Sequence, residues 1–424
     1  MTLPIPGDES SDNPLLDVGN LRVYYPVKVP LIQRFFQSEK PFVHAVDGVS
    51  FTLKAGEIFG LVGESGCGKT TIGRAVLRLA DATSGTIKFE GVDITRLPES
   101  KVRPLRQRMQ IIFQDPHASL NPAMSIGQAI GHPLKIHGLA WLEADVRKEV
   151  LGVMREVGLT PEEQLYDKFP RDLSGGQKQR AAIARAIILK PQLIVADEPV
   201  SMLDMSVRAK VLKLMLDLKE KYRLTYLFIT HDLATAKFLC DRIAIMYLGR
   251  IVETGPAKDI YESPKHPYTR ALLQAIPIPD PLKRTPKVLP KGEVPDAIHP
   301  PMGCRFHPRC LAVLPTCGWE ARDFLDYLEE RRSNPEKGRE DELILGSPDV
   351  WKANGLEAGR PCEPENIAII TEYVRSVMRE APAPMSQALD DIKVKEGRII
   401  VVFRLPATLS PKKVESRLVE CLLY

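Results

Sequence analysis

Residues 63–70, which read GESGCGKT, match the spacing G-x-x-x-x-G-K-[ST] of a phosphate-binding loop. They follow the apolar run EIFGLV and precede TTIGRAVLRL, a helical pattern. In such a loop the glycines let backbone N–H groups surround phosphate oxygens. Lys69 would reach the β- and γ-phosphates, and Thr70 would ligate Mg²⁺. The stretch therefore predicts a nucleoside triphosphate site, with a flexible glycine turn as the alternative interpretation.

Four further polar side chains follow apolar runs that read as strands. Residues 193–198, LIVADE, end in Asp197, which could hold Mg²⁺ through water, and Glu198, which could activate a water for in-line attack. His231 ends the run in ITHD, and Gln114 follows another in IIFQDP. Taken alone, each of these could be a surface residue. Because ligands bind at the carboxyl ends of parallel strands, we expect these side chains to lie near the phosphate-binding loop.

A second anion-binding pattern occurs later in the chain, in LSGGQKQR at residues 173–180. A serine and two glycines open a helical pattern there, and a helix N-terminus carries free N–H groups and the positive end of the helix dipole. Two anion-binding sites in one chain would be redundant for one nucleotide. If two chains associate head to tail, the LSGGQ site of one chain caps the γ-phosphate bound by the other chain. The sequence therefore predicts a composite site between subunits.

Alternating strand-like and helix-like segments must position these groups. The apolar, β-rich runs EIFGLVG, MQIIFQ, LIVADE, LTYLFIT and RIAIMYLG mostly have helical patterns between them. This order predicts an α/β domain with a largely parallel, buried sheet. Residues 115–180 carry few strand signals, which predicts a helical subdomain inserted between strands of the sheet.

Three further parts are predicted after a nucleotide-binding domain of residues 1–276. Residues 277–301 hold eight prolines among 25 residues, which favours an extended linker. Residues 302–365 contain four of the seven cysteines. Residues 366–424 read as a small α+β extension, in which NIAIITEYVRSVMRE predicts a helix, RIIVVFRL a strand and the last residues a final helix. We interpret this extension as a docking or dimerisation module.

Charge and hydropathy disfavour several classes of function. The net charge of +4 is too mild to indicate a nucleic-acid partner. No run approaches the roughly 18 apolar residues of a membrane-spanning helix. The first residues, MTLPIPGDESSDNP, lack the basic and apolar regions of a signal peptide. We therefore expect a chain that stays in the cytoplasm and contacts a membrane only through partner proteins.

In this order, GESGCGKT, Gln114, LSGGQ, LIVADE, SMLD and ITHD resemble the ATP-binding subunit of an ABC transporter, and the resemblance covers residues 15–320. More narrowly, MQIIFQDPHASLNP, HPYTRALLQAIP and PPMGCRFHPRC resemble the ATPase subunits of oligopeptide/dipeptide importers, within them the F-type subunit. The resemblance implies a P-loop NTPase (ABC ATPase) core. It also implies Mg²⁺-dependent ATP hydrolysis that powers the uptake of oligopeptides or dipeptides.

The resemblance also implies a role for each matching residue. Gln114 contacts the metal and water, Asp197 supports Mg²⁺, Glu198 is the catalytic base and His231 stabilises the γ-phosphate. Asp204, in SMLD, crosses the dimer interface. The residues implied to bind phosphates and Mg²⁺ are Gly63, Glu64, Ser65, Gly66, Cys67, Gly68, Lys69, Thr70 and Thr71. Those implied to contact the ATP of the partner are Ser174, Gly175, Gly176 and Gln177.

Two positions depart from the pattern of the family. Tyr25 is the expected aromatic beneath the adenine ring. The insert PVKVPLIQRFFQSEKPFVHA lengthens its spacing from the phosphate-binding loop, so Phe42 is the alternative. Met202 replaces the usual alanine of the loop SALD, and we expect this change to leave activity intact.

The partners implied by the resemblance are a second, D-type ATPase in a head-to-tail dimer, two transmembrane permease subunits and an extracytoplasmic substrate-binding protein. They would place the chain at the cytoplasmic face of the cell membrane. Oligosaccharides or nickel are alternative cargoes, because the ATPase never touches the cargo. A soluble ABC-type ATPase acting on ribosomes or DNA ranks lower, since this chain has one cassette and no sustained heptads. A small-molecule kinase also ranks lower, because it has no use for LSGGQ.

Three cysteines, Cys304, Cys310 and Cys317, are spaced C-x5-C-x6-C in a proline-rich segment with little apolar material for a core. A metal could supply folding energy there, and thiolates suit Zn²⁺ or an Fe–S cluster. Unligated, packed cysteines are the remaining interpretation. The resemblance implies a [4Fe–4S] cluster on four cysteines, with Cys362 as the fourth ligand and Cys421 as its alternative.

Overall fold

The computed structural model of the chain describes residues 13–27, 41–140, 142–275, 290 and 292–424. The chain divides into two compact units, Met1–Ser263 and Pro264–Tyr424. The domain end predicted at residue 276 therefore falls inside the second unit. Most of the predicted linker lies outside the described residues.

The first unit contains an antiparallel sheet whose strands lie both before and after the phosphate-binding loop in sequence. Its strands are β1 (Leu16–Pro26), β2 (Phe42–Leu53), β4 (Ser84–Phe89) and β5 (Val92–Asp93), in the order β2-β1-β4-β5. Inward-facing residues alternate along β1, where Leu16, Val18, Leu21 and Val23 are buried. This alternation is the pattern of a sheet with one face on a core.

The second sheet of this unit is the mostly parallel one that the sequence predicted. Its strands are β3 (Ile58–Val62), β6 (Met109–Ile112), β7 (Leu193–Asp197), β8 (Thr225–Thr230), β9 (Arg242–Tyr247) and β10 (Arg250–Pro256). They follow the order β10-β9-β3-β8-β7-β6, and only β10 runs antiparallel to its neighbour. All residues of β3, β7 and β8 are buried, as expected of strands covered on both faces.

Helices follow the strands of the first unit. They are α1 (Lys69–Val76), α2 (Glu99–Leu105), α3 (Pro116–Ser119), α4 (Ile126–Ile136), α5 (Glu143–Glu156), α6 (Glu162–Tyr166), α7 (Gly175–Ile187), α8 (Met205–Tyr222), α9 (Leu233–Leu239) and α10 (Ala257–Glu262). Helices α3 to α7 all occur between β6 and β7, where the helical subdomain was predicted. Across the described ranges, no helix has the length and apolar character needed to span a bilayer.

The second unit is a helical layer with its own antiparallel sheet. Its helices are α11 (Pro267–Ala275), α12 (Ala321–Arg332), α13 (Pro335–Leu345), α14 (Ile367–Glu380) and α15 (Ala383–Ala388). Its strands are β11 (Lys352–Asn354), β12 (Glu357–Pro361), β13 (Leu389–Lys395), β14 (Arg398–Phe403), β15 (Lys412–Val414) and β16 (Arg417–Val419). Four of these strands form one sheet in the order β11-β12-β14-β13.

One hydrophobic core joins the segments that the sequence analysis had separated at residue 365. The core runs from Trp319 and Phe324 through Val374 to Phe403. Phe324 meets Trp351 edge-on, with ring centroids 5.3 Å apart. A division into residues 302–365 and 366–424 therefore does not describe the packing, because helix α14 covers the same core as α12.

The final helix predicted for the last residues is wrong. Strands β15 and β16 pair antiparallel there, and Glu415 between them has a φ of +56° that a helix does not tolerate. Arg417, Val419 and Cys421 are buried, whereas Leu418 is exposed. Burial that alternates with a period of two residues is typical of a strand. It buries Arg417, which is 2% exposed, whereas a helix was expected to leave this arginine in solvent.

Candidate functional site

The phosphate-binding loop connects strand β3 to helix α1, as its sequence predicts. The ammonium of Lys69 donates hydrogen bonds to the carbonyls of Gly63 (2.9 Å) and Glu64 (2.8 Å), which folds the side chain over the loop. A Cβ on Gly63 would lie 2.2 Å from the Met246 carbonyl oxygen, so only glycine fits there. Gly68 is equally constrained, because its φ is +102°.

Other residues of the loop differ in exposure. Ser65 and Gly66 are exposed, while Glu64, Thr70 and Thr71 are half-buried. Cys67 is buried, and burial raises the pKa of its thiol. A neutral buried thiol is inert, so no redox chemistry is assigned to this cysteine.

Thr70 and Asp197 form the contact expected of a magnesium site. The Thr70 hydroxyl donates to the Asp197 carboxylate at 3.0 Å, across the gap between α1 and the end of β7. Asp197 is 5% exposed, and its burial raises the pKa of the carboxyl group, helped by the neighbouring charge of Glu198. A bound cation would offset both effects. This pair of oxygen donors therefore fits Mg²⁺.

Glu198 lies between the two other side chains that the sequence analysis placed at strand ends. One carboxylate oxygen accepts a hydrogen bond from the Gln114 amide at 3.1 Å, and the other lies 3.0 Å from His231 Nδ1. Register explains the meeting, since Ile112 of β6 pairs with Ala196 of β7 and Asp197 pairs with Ile229 of β8.

The backbone of Glu198 is unusual. Its φ is +47°, a left-handed conformation that costs a non-glycine residue about 1–2 kcal/mol. The Glu198 N–H donates to the Ile229 carbonyl at 2.9 Å, which holds the turn in place. The strand therefore ends abruptly, and the carboxylate is presented toward Gln114 and His231 instead of continuing the ladder.

LSGGQ forms the N-terminus of α7 with a complete capping box. The Ser174 hydroxyl accepts from the Gln177 N–H at 3.3 Å, and the Gln177 side chain accepts from the Ser174 N–H at 2.9 Å. Gly176 packs against α8, since a Cβ on it would lie 2.7 Å from Val207. Gly175 begins the helix. The motif therefore forms a helix N-terminus in which the side chains of Ser174 and Gln177 each accept a hydrogen bond from the backbone N–H of the other.

The loop SMLD leads directly into α8. Asp204 caps that helix by accepting hydrogen bonds from the N–H groups of Ser206 (3.1 Å) and Val207 (3.0 Å). These bonds lower the pKa of the Asp204 carboxyl group. Met202 and Met205 are largely exposed on either side of it.

The two candidate adenine-stacking residues lie at one end of the β1–β2 ladder. Tyr25 pairs with Val43, and Phe42 pairs with Pro26. Tyr25 is 41% exposed and Phe42 is 40% exposed, so either side chain is accessible for stacking on an adenine ring. Most of the insert that separates them, residues 28–40, lies outside the described residues, and Tyr25 and Phe42 stay alternatives.

Charge on Cys421 opposes ionisation of three other cysteines in the second unit. Burial, together with charge on Cys317, Cys421 and Cys310, raises the pKa of the Cys304 thiol to about 12. Burial also raises the pKa of Cys310 to about 11, with contributions from Cys317 and Cys421. A thiolate at Cys317 or Cys421 would therefore disfavour ionisation of Cys304 and Cys310.

Cys362 is elsewhere in the same unit. Its thiol donates to the Glu363 carbonyl at 3.3 Å, and its side chain packs against the hydrophobic core of that unit. Cys362 therefore stays a prediction as the fourth member of the cysteine group, and Cys421, whose charge opposes ionisation of Cys304, Cys310 and Cys317, stays its alternative.

The cysteine group is not a ready-made site for a single metal ion. Within the described part of the chain, no three His, Cys, Asp or Glu side chains are arranged to hold one. All seven cysteines are free thiols. The described residues therefore show no preformed set of ligands for the predicted iron–sulfur cluster or for a zinc ion.

The structure also shows contacts that the motifs did not reveal. The Met246 carbonyl and the Ala45 carbonyl close against Gly63 and Gly68 of the phosphate-binding loop. They come from two different strands, β9 and β2. No local signal in the sequence could have indicated them, because they depend on the packing of two sheets.

Two family models match this chain. The ABC transporter model matches residues 46–201, and the model of the oligopeptide/dipeptide transporter C-terminal region matches residues 252–317. The first match includes the phosphate-binding loop, Gln114, LSGGQ and Glu198. Both matches end before the core that begins at Trp319.

Solved structures with the same fold are ATP-binding cassettes. The dimeric structure of a post-hydrolysis state of the ATP-binding cassette MJ0796, bound to ADP and Pi, has a TM-score of 0.50 and 26% identity, over 57% of this chain and 98% of that chain. The structure of cbiO1 from Clostridium perfringens, part of an ABC transporter complex, has a TM-score of 0.50 and 27% identity, over 59% and 92%. Together with the site, they define the class of this protein as an ABC-type ATPase.

Curated relatives narrow that class. The oligopeptide transport ATP-binding protein OppF of Salmonella typhimurium is 46% identical over 72% of this chain and 90% of its own length. A probable peptide ABC transporter ATP-binding protein of Sinorhizobium fredii is 45% identical over 72% and 84%. A putative oligopeptide transport ATP-binding protein of Bacillus subtilis, YkfD, is 43% identical over 75% and 94%. The chain belongs to this family of ATP-binding subunits of oligopeptide and dipeptide ABC transporters.

Proposed function

We propose that this chain hydrolyses ATP at the phosphate-binding loop, with Glu198 as the general base that activates water. The observation that carries the proposal is the Glu198 carboxylate held between Gln114 (3.1 Å) and His231 (3.0 Å). A carboxylate oriented from both sides can accept the proton of an attacking water while His231 faces the γ-phosphate.

The remaining side chains of the site position the substrate. Lys69 leaves the carbonyls of Gly63 and Glu64 to neutralise the β- and γ-phosphates. Thr70 and Asp197 hold Mg²⁺, which supplies charge neutralisation of the phosphate oxygens. Tyr25 or Phe42 stacks on the adenine ring.

The active unit is a head-to-tail dimer with a second, D-type ATPase subunit. Ser174–Gln177 of one subunit cap the γ-phosphate bound by the other, and Asp204 lies in the interface. The solved relative described as dimeric supports this arrangement. The N-terminus of α7, which Ser174 caps and Gly175 begins, supports it as well, since helix N-termini bind phosphate.

The dimer powers the import of oligopeptides or dipeptides through two permease subunits at the cytoplasmic face of the membrane, with cargo delivered by an extracytoplasmic binding protein. The names of the relatives and the match over residues 252–317 support peptides above oligosaccharides or nickel. ATP closes the dimer, and hydrolysis reopens it.

Uptake by proteoliposomes tests this function. The chain is reconstituted with its permease subunits, its second ATPase and its binding protein, and labelled tri- to pentapeptides are supplied outside. We expect accumulation of peptide that requires ATP inside. Uptake of maltooligosaccharide or of Ni²⁺, with no uptake of peptide, would contradict the assignment of peptide as cargo. It would leave the proposed ATP hydrolysis unaffected.

The cysteine group is a candidate iron–sulfur site. We propose that Cys304, Cys310, Cys317 and Cys421 each bind one iron of a [4Fe–4S] cluster. The donors are four soft thiols, and the proposal is supported by the charge on Cys310, Cys317 and Cys421 that opposes ionisation of Cys304.

Serine substitutions at Cys421 and at Cys362 test which of the two cysteines is the fourth ligand. In protein purified without oxygen, we expect the Cys421→Ser variant to lose at least about half of its iron and acid-labile sulfide per chain, because one of four ligands is gone. The matched control, Cys362→Ser, should keep both. Equal loss in the two variants would contradict the ligand assignment, and stoichiometric zinc without iron would contradict the cluster.

A further inference from the structure

The side chain of Arg208 bridges two loops of the candidate site. Arg208 lies in the first turn of α8, and its Nη2 donates a hydrogen bond to the Leu203 carbonyl at 3.4 Å, inside the SMLD loop. Its Nη1 donates to the Asp232 carboxylate at 3.5 Å, and Asp232 directly follows His231 in ITHD. The guanidinium therefore connects the loop that precedes α8 with the loop that carries His231.

Asp232 is held firmly at its end of this connection. One of its carboxylate oxygens accepts a hydrogen bond from the Ala234 N–H at 2.9 Å and caps α9, and the other accepts from the Thr235 hydroxyl at 2.6 Å. The Asp232 N–H donates to the Thr230 hydroxyl oxygen at 3.0 Å. Because side chain and backbone are both fixed, the position of the Asp232 carboxylate governs the position of the preceding residue, His231.

Arg208 is less well satisfied than its partner. Both of its hydrogen bonds are longer than the common upper limit of about 3.2 Å. Its Nε is buried and has no hydrogen-bond partner among the described residues, and a buried donor without an acceptor costs free energy. Arg331 in the second unit shows the satisfied form, because its Nε and Nη2 donate to the two carboxylate oxygens of Asp341 at 2.9 and 3.1 Å.

We propose that Arg208 is a positioning residue for His231 and acts on it through Asp232. In the ATP-bound state, Nε joins Nη1 on the Asp232 carboxylate, which gives the buried donor an acceptor and restrains the turn that carries His231. His231 is then oriented toward the γ-phosphate while its Nδ1 stays beside Glu198. The proposal rests on the ATP hydrolysis proposed above and adds a residue that contacts neither the nucleotide nor Mg²⁺.

Substitutions at the two ends of this contact test the proposal. Arg208→Met keeps an extended apolar side chain and removes the donors, whereas Arg208→Lys keeps the positive charge. Asp232→Asn removes the negative charge but keeps the cap of α9, because asparagine caps a helix about as well as aspartate. The matched control is Lys213→Met, because Lys213 forms an exposed ion pair with Asp217 at 2.8 Å further along α8.

The measurement is phosphate release from the chain assembled with its second ATPase subunit, which gives kcat and KM for ATP. We expect Arg208→Met and Asp232→Asn each to lower kcat about tenfold, the usual loss for a hydrogen bond between charged groups, and to leave KM unchanged. The double variant should lose no more than either single variant, because both remove one contact. Arg208→Lys should restore part of kcat, and Lys213→Met should match wild type.

Several results would overturn the proposal. Unchanged kcat in Arg208→Met, or losses that add in the double variant, would show that Arg208 does not act through Asp232. An equal loss from Lys213→Met would assign Arg208 to the stability of α8. A loss from Arg208→Met that persists in full in a His231→Ala background would show that it does not act through His231. Wild type without ATPase activity would contradict the proposed function itself, and with it this role.

Discussion

Glu198→Gln is expected to lower kcat for ATP hydrolysis by about 10²–10⁴-fold, the usual contribution of a general base. Glutamine preserves the size of the side chain and can still contact Gln114 and His231, but it cannot accept the proton of the attacking water. Binding of ATP should persist, because Lys69, Thr70 and Asp197 are unchanged. Steady-state phosphate release and equilibrium binding of ATP measure the two effects separately.

Glu149→Gln on α5 is the matched control, since Glu149 is an exposed carboxylate away from the site. It should hydrolyse ATP at the normal rate. We further expect Glu198→Gln to remain dimeric in the presence of ATP, because the step that reopens the dimer is blocked. Normal turnover by Glu198→Gln would show that another group activates water.

Ser174→Ala is expected to lower ATP turnover by about 10–100-fold, the effect of losing one hydrogen bond to a charged phosphate. The structure offers a matched control for the lost helix cap. Ser125 caps α4 with the same geometry as Ser174 caps α7: in each box the hydroxyl accepts from the glutamine N–H at 3.3 Å. Each cap contributes about 1 kcal/mol to stability.

The two serine variants should therefore lose similar stability but differ in turnover. Thermal unfolding measures the first quantity, and phosphate release from the assembled dimer measures the second. Equal turnover in Ser174→Ala and Ser125→Ala would contradict the composite site. Full activity of a monomer would contradict it as well.

Residues with local signals were predicted well. Spacing alone located the phosphate-binding loop, and buried apolar runs located the five strands β3 and β6 to β9. The meeting of Gln114, Glu198 and His231 followed from a general property of parallel sheets, because side chains at the carboxyl ends of neighbouring strands share one edge. The sequence motif and the sheet order therefore led to the same site.

Residues whose environment depends on distant packing were predicted poorly. The last residues, KKVESRLVECLLY, have apolar residues at spacings that also suit a helix, and burial of Arg417 carries no mark in the sequence. The choice between Cys362 and Cys421 as fourth ligand stays a prediction, because it depends on where the segments after β12 and β16 are placed.

Cys304 and Cys421 lie on either side, in sequence, of the core that runs from Trp319 to Phe403, so a link between them would enclose that core in a ring of chain. A covalent link across a ring of about 100 residues stabilises a fold by roughly 4–5 kcal/mol, mainly by restricting the unfolded chain. If the proposed cluster binds Cys304 and Cys421, it would link the two ends of this segment in the same way, and loss of the cluster would make the second unit easier to unfold.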